Sequence, residues 1–221
     1  GLFAYFIQPL AGSLKQGLDL QGGTHIVLEA EDSATGQADN DAVERAKQIL
    51  ERRINEMGLS EPLVQREGAR RIIIELPGVK DPDEAIKRIG KTAVLEFKND
   101  QGQTVMTGDD LKDAKEELGQ NKQPLVAIEL SDEGAKKFAD LTSKNIGRRI
   151  AITLDGKELT NPVVQQAITG GKATISGSQS LEEAKDLAIL LRSGALPVKI
   201  NVLEVRTVGP SLGQDSKDKS V

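Results

Sequence analysis

His25 is the single histidine of this 221-residue chain and there is no cysteine, so the side chains that most often act as general bases, nucleophiles or metal ligands are nearly absent. A catalytic or metal-binding histidine needs a partner at workable spacing. None is encoded, and His25 sits in an alternating pattern between Thr24 and Ile26, so its role reads as structural. Gln21-Gly22-Gly23 has the glycine content of a phosphate-cradling loop, but it lacks the Gly-Lys-Ser/Thr ending and leads into a strand pattern, whereas phosphate loops open helices. Gly170-Gly171-Lys172 fails for the same reason. Acidic pairs such as Asp109-Asp110 and Glu182-Glu183 invite an acid/base or metal reading; each falls at an expected helix start, where the helix dipole already favours negative charge. Asp39, Asp41 and Glu44 lack the alternating ligands and central glycine of an EF-hand loop. The expectation is therefore no catalytic residue, no metal and no cofactor.

The elements that must carry these residues can be read from hydrophobic period and punctuation. Residues 24–30 alternate as a strand entered from the double glycine. Val43, Ala46, Ile49, Leu50, Ile54 and Met57 share one face of a helix that Asp41 and Glu44 would cap and Gly58 would stop. Residues 62–66 and 70–76 read as a hairpin around Gly68, closed by Pro77-Gly78. Asp81-Pro82 opens a second helix with Ala85, Ile86 and Ile89 inward, and Gly90 ends it. Strand, helix, strand, strand, helix is a split βαβ unit short of one strand, which either 92–98 or 198–208 could supply. Between those candidates the pattern predicts a short helix carrying Leu111, Ala114 and Leu118, then a strand at 125–130. A helix capped by Ser131 follows, with Ala135, Phe138, Ala139 and Thr142 inward. Next come a hairpin turning at Asp155-Gly156, a short strand in 172–176, and a helix capped by Ser180 with Leu181, Ala184, Leu187, Ala188 and Leu191 on its apolar face, stopped by Gly194.

Composition narrows the partners. With 38% hydrophobic and 29% charged residues the chain has the balance of a water-exposed globular protein. A net charge of -5 and 2% aromatics remove both the basic face and the stacking platforms that nucleic acids require, so no nucleic-acid partner is expected. No run of 18 apolar residues spans a membrane. Phe3, Tyr5 and Phe6 crowd the first ten residues, which read either as the end of a membrane helix or as an amphipathic arm; the basic region and cleavage pattern of a signal peptide are missing.

A series of ordered motifs carries a family resemblance. They are Gly17-Leu18-Asp19-Leu20-Gln21-Gly22-Gly23, Arg53-Ile54-Asn55, Glu61-Pro62-Leu63-Val64-Gln65, Ile74-Glu75-Leu76-Pro77-Gly78 and Ala93-Val94-Leu95-Glu96-Phe97. Further along come Asn161-Pro162-Val163-Val164, Ile168-Thr169-Gly170-Gly171, Leu191-Arg192-Ser193-Gly194-Ala195-Leu196-Pro197 and Gly209-Pro210-Ser211-Leu212-Gly213. In these the chain resembles the large extracytoplasmic loop of SecD, a membrane subunit of the bacterial protein-export machinery, lying between its first two membrane spans. The resemblance implies an α+β fold with a ferredoxin-like (split βαβ) base, 17–91 plus 195–213, closed by the strand at 198–208, and an inserted α+β head, 92–194. Residues 1–16 would be a membrane-proximal arm and 214–221 a linker toward the second span.

For function, the resemblance implies a non-enzymatic role. The full-length protein would sit in the bacterial plasma membrane with this domain on the extracytoplasmic side, working with SecF and the SecYEG channel and contacting unfolded preprotein while base and head move. Gly17, Asp19, Gln21, Gly22, Gly23, Gly209, Pro210 and Gly213 would form a structural, membrane-facing floor, and Gly90, Lys91, Ala195, Leu196 and Pro197 are hinge candidates. A sheet edge on the head suits sequence-tolerant contact with unfolded chains. Two other readings stand beside this one: a small-ligand regulatory module with Asp19 and Gln21 as polar contacts, and a passive scaffold for partner subunits.

Overall fold

The computed structural model describes residues 22–34, 36–59 and 61–209; the aromatic start and the C-terminal linker lie outside them. The chain divides into two units, one formed by the residues up to Gly90 together with those from Val198, the other by Lys91–Pro197. No described helix is long and apolar enough to cross a membrane.

In the first unit, the base, strand β1 (Gly23–Glu31), helix α1 (Asn40–Met57), β2 (Leu63–Glu67), β3 (Arg71–Pro77), α2 (Pro82–Ile89) and the late strand β11 (Lys199–Val208) build an antiparallel sheet, in the order β11-β1-β3-β2, with its two helices. This is the ferredoxin-like order, and it is residues 199–208 that complete the split βαβ unit. Strand alternation sends Ile26, Leu28, Ile72, Ile74 and Leu76 to one face, where they are buried with Val43, Ala46, Leu50, Ile54, Ala85 and Ile89 of the helices. Each such Leu or Ile contributes about 1.5–3 kcal/mol on burial, and this layer is the core of the base. The start of α1 corrects the sequence expectation. Asp39, in extended conformation, is the N-cap and its carboxylate accepts from Ala42 N–H at 2.8 Å. Asp41 therefore falls inside the first turn, where it favours the dipole without capping. Gly58 ends the helix at φ 67°, a left-handed conformation that glycine adopts without penalty.

The second unit, the head, holds two antiparallel sheets and two α-helices among its described residues. β4 (Leu95–Lys98), β5 (Thr104–Thr107), β8 (Ala151–Leu154) and β9 (Lys157–Thr160) make one sheet in the order β5-β4-β8-β9. β6 (Leu111–Leu118), β7 (Pro124–Leu130) and β10 (Lys172–Ile175) make the other, in the order β10-β7-β6, with α3 (Asp132–Lys144) and α4 (Leu181–Ser193) packed around them. The expected helix at Leu111, Ala114 and Leu118 is a strand. The LKDAKEEL segment favours helix by propensity, but it pairs with β7 from Leu111↔Leu130 to Leu118↔Pro124 and buries Ala114 under α4, so tertiary pairing overrides local preference. On α3 the inward stripe is Gly134, Phe138, Leu141 and Thr142; Ala135 and Ala139 are only half-buried. On α4, Leu181 is exposed and Ile189 and Leu190 join Ala184, Ala188 and Leu191 in the core.

Asp110 is the polar centre of the head. Its carboxylate accepts from Thr107 N–H at 3.1 Å and from Lys137 Nζ at 3.1 Å, and its carbonyl accepts from Ser131 N–H at 2.8 Å, beside the start of α3. Gly134 is what permits this approach, because a Cβ there would run into the Asp110 carbonyl oxygen. Gly134→Ala is therefore expected to destabilise the chain by about 1–3 kcal/mol despite alanine's higher helix propensity, read as a lower urea midpoint at unchanged m-value.

Candidate functional site

The described part of the glycine motif lies at one end of the base sheet. Gly22 takes φ 72° and its carbonyl accepts from Gly78 N–H at 2.9 Å, while Gly23 opens β1 opposite both Pro77 and Val208. Gly209 follows β11 directly, so the described ends of the two glycine motifs meet across the β1–β11 ladder. Gly17, Asp19, Gln21, Pro210 and Gly213 lie outside the described residues. Of the hinge candidates, Gly90 is the C-cap of α2 and donates to Ile86 O at 2.8 Å; Lys91 follows it. On the return path Ala195 is exposed, Pro197 is half-buried, and Leu196 is buried with its N–H donated to Thr92 O at 2.8 Å.

His25 faces Glu75 across the β1–β3 ladder, Nδ1 lying 3.9 Å from the carboxylate. Glu182 and Glu183 occupy the first turn of α4, and Asp109 and Asp110 the 3-10 turn Gly108–Asp110. Among the described residues no three His, Cys, Asp or Glu side chains converge as metal ligands would.

On the head, among the described residues, lies an apolar groove of about 430 Å³. Phe138 on α3 and Ile150 and Ile152 leading into and along β8 line its buried side; Pro162, Val163 and Val164 form one wall, and Ile168 with Thr174 of β10 lines it further round. Backbone bonds set that wall in place. Ile150 N–H donates to Pro162 O at 3.0 Å, Val164 N–H to Arg148 O at 2.8 Å, and Gly147 N–H to Val164 O at 2.8 Å. The buried Thr142 hydroxyl accepts from Ile168 N–H at 2.9 Å and donates to Phe138 O at 2.8 Å, fastening the 165–168 segment to α3. Val163 nevertheless stays 38% exposed, an apolar side chain presented to solvent by a fixed backbone.

The groove borders an open strand edge. Among the described residues β10 is the last strand of its sheet, and Leu130 N–H bonds Gly171 O at 2.8 Å. In antiparallel alternation Gly171, Ala173 and Ile175 then turn their backbone groups toward β7, whereas Lys172 and Thr174 direct theirs outward. The arrangement can accept an extended backbone on β10 while apolar side chains enter the groove. A larger, more polar cleft of about 520 Å³ is lined by Lys98, Arg148 and Arg149, but Arg148 lies 3.6 Å from Asp100 and Arg149 donates to Asn161 O at 2.7 Å, so two of its cations are already engaged.

Comparison with known proteins gives consistent matches. The family model described as SecDF, P1 head subdomain, matches residues 86–198; the N-terminal P1-domain model of protein translocase subunit SecDF matches 43–102; and the SecD/SecF GG motif matches 14–34. Protein translocase subunit SecD of Acidaminococcus fermentans is 59% identical over 99% of this chain and 52% of its own length. The SecDF subunit of Thermus thermophilus is 42% identical over 94% of this chain and 33% of its own length. The chain thus spans about half the length of the curated SecD relatives it matches. Among solved structures, SecDF in a super-membrane-facing form aligns with TM-score 0.78 at 42% identity, covering 91% of this chain and 32% of that one. A structure of SecDF described as a membrane component that enhances protein export aligns with TM-score 0.74 at 40% identity, covering 82% of this chain and 99% of that one.

Two motifs acquire roles that sequence reasoning missed. Pro162-Val163-Val164 builds the groove wall; the only signal was a valine pair set behind a proline. Arg53, fully buried on α1, donates from Nη1 to Ile89 O at 2.6 Å, placing a cation at the carbonyl end of α2 one residue before Gly90. Lysine has neither the planar fork nor the reach to hold that carbonyl, so Arg53→Lys is expected to cost about 1–3 kcal/mol in equilibrium unfolding.

Proposed function

The chain belongs to the SecD/SecDF family of protein translocase subunits and corresponds to its P1 domain, and on that premise we propose that the head holds emerging preprotein while base and head move to support translocation driven by the proton-motive force. In this reading the domain works on the extracytoplasmic side of the plasma membrane, with SecF and the SecYEG channel as partners. Gly22, Gly23 and Gly209, the described residues of the two glycine motifs, would lie toward the membrane, and the hinge would lie where the chain passes between base and head.

The observation that carries the proposal is the apolar groove beside the open edge of β10. A translocating chain is unfolded, so it offers an unpaired backbone and apolar side chains in no fixed sequence. Backbone bonding at Lys172 and Thr174 takes any sequence, and the groove between Phe138, Val163 and Ile168 gains from whichever apolar side chains arrive. Weak, sequence-tolerant capture is what a transport cycle needs, since a client held tightly could not be released.

Val163 gives the cleanest test because it is exposed and can be replaced with little loss of stability. A photocrosslinker at Gln166 in the full-length protein is expected to capture a preprotein arrested during export. Adding Val163→Asp should lower that capture by about tenfold, the effect of placing a charge where an apolar client side chain would be buried, while thermal unfolding is unchanged. Equal capture with and without Val163→Asp would remove the groove from the proposal.

A further inference from the structure

We infer that Asp155 is a positioning residue that locks both chain crossings of the head into one rigid block, so that any rotation of the head must take place before Thr92 and after Leu196. The inference rests on the proposal that the head moves.

Asp155 and Gly156 form the two-residue turn between β8 and β9, at φ 50° and φ 80°, the left-handed pair of a type I′ hairpin. The turn does not consume the carboxylate. Its Oδ1 accepts from the Thr92 hydroxyl at 2.6 Å and from Val94 N–H at 2.9 Å, and its Oδ2 accepts from Ala93 N–H at 3.0 Å. Asp155 N–H in turn donates to Val94 O at 2.9 Å. One residue therefore fixes three consecutive residues of the incoming chain, 61 to 63 positions away in sequence.

Ala93 shows how strongly the path is specified. It holds φ 59°, which an L-residue with a Cβ rarely adopts, and the residue is 3% exposed. The carboxylate bonds on both sides of it keep the backbone in that state. The same segment carries the return path, because Thr92 O accepts from Leu196 N–H at 2.8 Å. On the base side Arg53 grips Ile89 O. The incoming crossing is thus anchored at Ile89 by one unit and from Thr92 onward by the other, a short lever well suited to hinging without repacking either core.

Aspartate is the residue type the arrangement needs, since three donors converge on two acceptor oxygens. Asparagine keeps the turn, Asn-Gly being a favoured type I′ pair, but puts an NH₂ where Ala93 N–H needs an acceptor. Asp155→Asn therefore separates the clamp from the hairpin. In hydrogen exchange on this chain, the Ala93, Val94 and Leu196 amides should exchange about fivefold faster, with β8–β9 amides unchanged. Thr92→Val should act in the same direction and less. In the full-length protein Asp155→Asn should lower export while preprotein capture at the groove stays intact, which a residue serving only fold stability would not do. Unchanged exchange at Ala93, Val94 and Leu196 would overturn the inference. So would equal acceleration in β8 and β9, loss of groove capture together with export, or full export despite the loosened amides. Failure of the unsubstituted groove to capture preprotein would count against the groove alone, because the exchange result and the export rate of Asp155→Asn still decide the clamp.

Discussion

The antiparallel pairing of β11 with β1 sets the terms for everything else in the chain. Gly23–Glu31 cannot be flanked on both sides until Lys199–Val208 returns to it, and the whole head lies in the sequence between. Loop closure makes such an insertion tolerable, since each doubling of loop length costs only about 0.6 kcal/mol more. It also imposes a geometric condition, because the inserted unit must begin and end close together. The bond from Leu196 N–H to Thr92 O is that condition met within the head itself. The head's termini are joined before the chain leaves it.

Both units use buried polar groups where the chain changes direction. Arg53 supplies a cation to the carbonyl end of α2, and Asp110 gathers Thr107, Lys137 and Ser131 around the start of α3. Such groups contribute less to net stability than to fixing one geometry, since each would be costly if left unmatched. The apolar groove around Val163 lies outside this scheme, and backbone bonds frame its wall. The chain belongs to a family of protein translocase subunits, and in its head the groove of apolar side chains lies beside β10, the last strand of its sheet among the described residues.

Much of this was legible in the sequence because it is encoded locally. Gly58, Pro77-Gly78, Asp81-Pro82 and Asp155-Gly156 punctuate elements whose bounds follow directly, and the ordered glycine and proline motifs identify the family. β6 was not legible, because LKDAKEEL is helical by composition and becomes a strand only through β7 and α4. The cap of α1 was misplaced because two acidic residues compete and the extended backbone at Asp39 decides between them. The groove was hidden for a different reason. Its lining comes from α3, β8, residues 162–168 and β10, and its edge is made of backbone groups that leave no mark in side-chain pattern.

Uptake of extended polypeptide by the head, at β10 and the adjoining groove, is the central claim. Its most direct test is a nuclear magnetic resonance titration of the isotope-labelled chain with a permanently unfolded, apolar-rich peptide. Saturable shifts are predicted in the Lys172 and Thr174 amides and the Val163 and Ile168 methyls, with the base strands undisturbed. Shifts confined to β1 and β11, or none at peptide concentrations in the millimolar range, would contradict it.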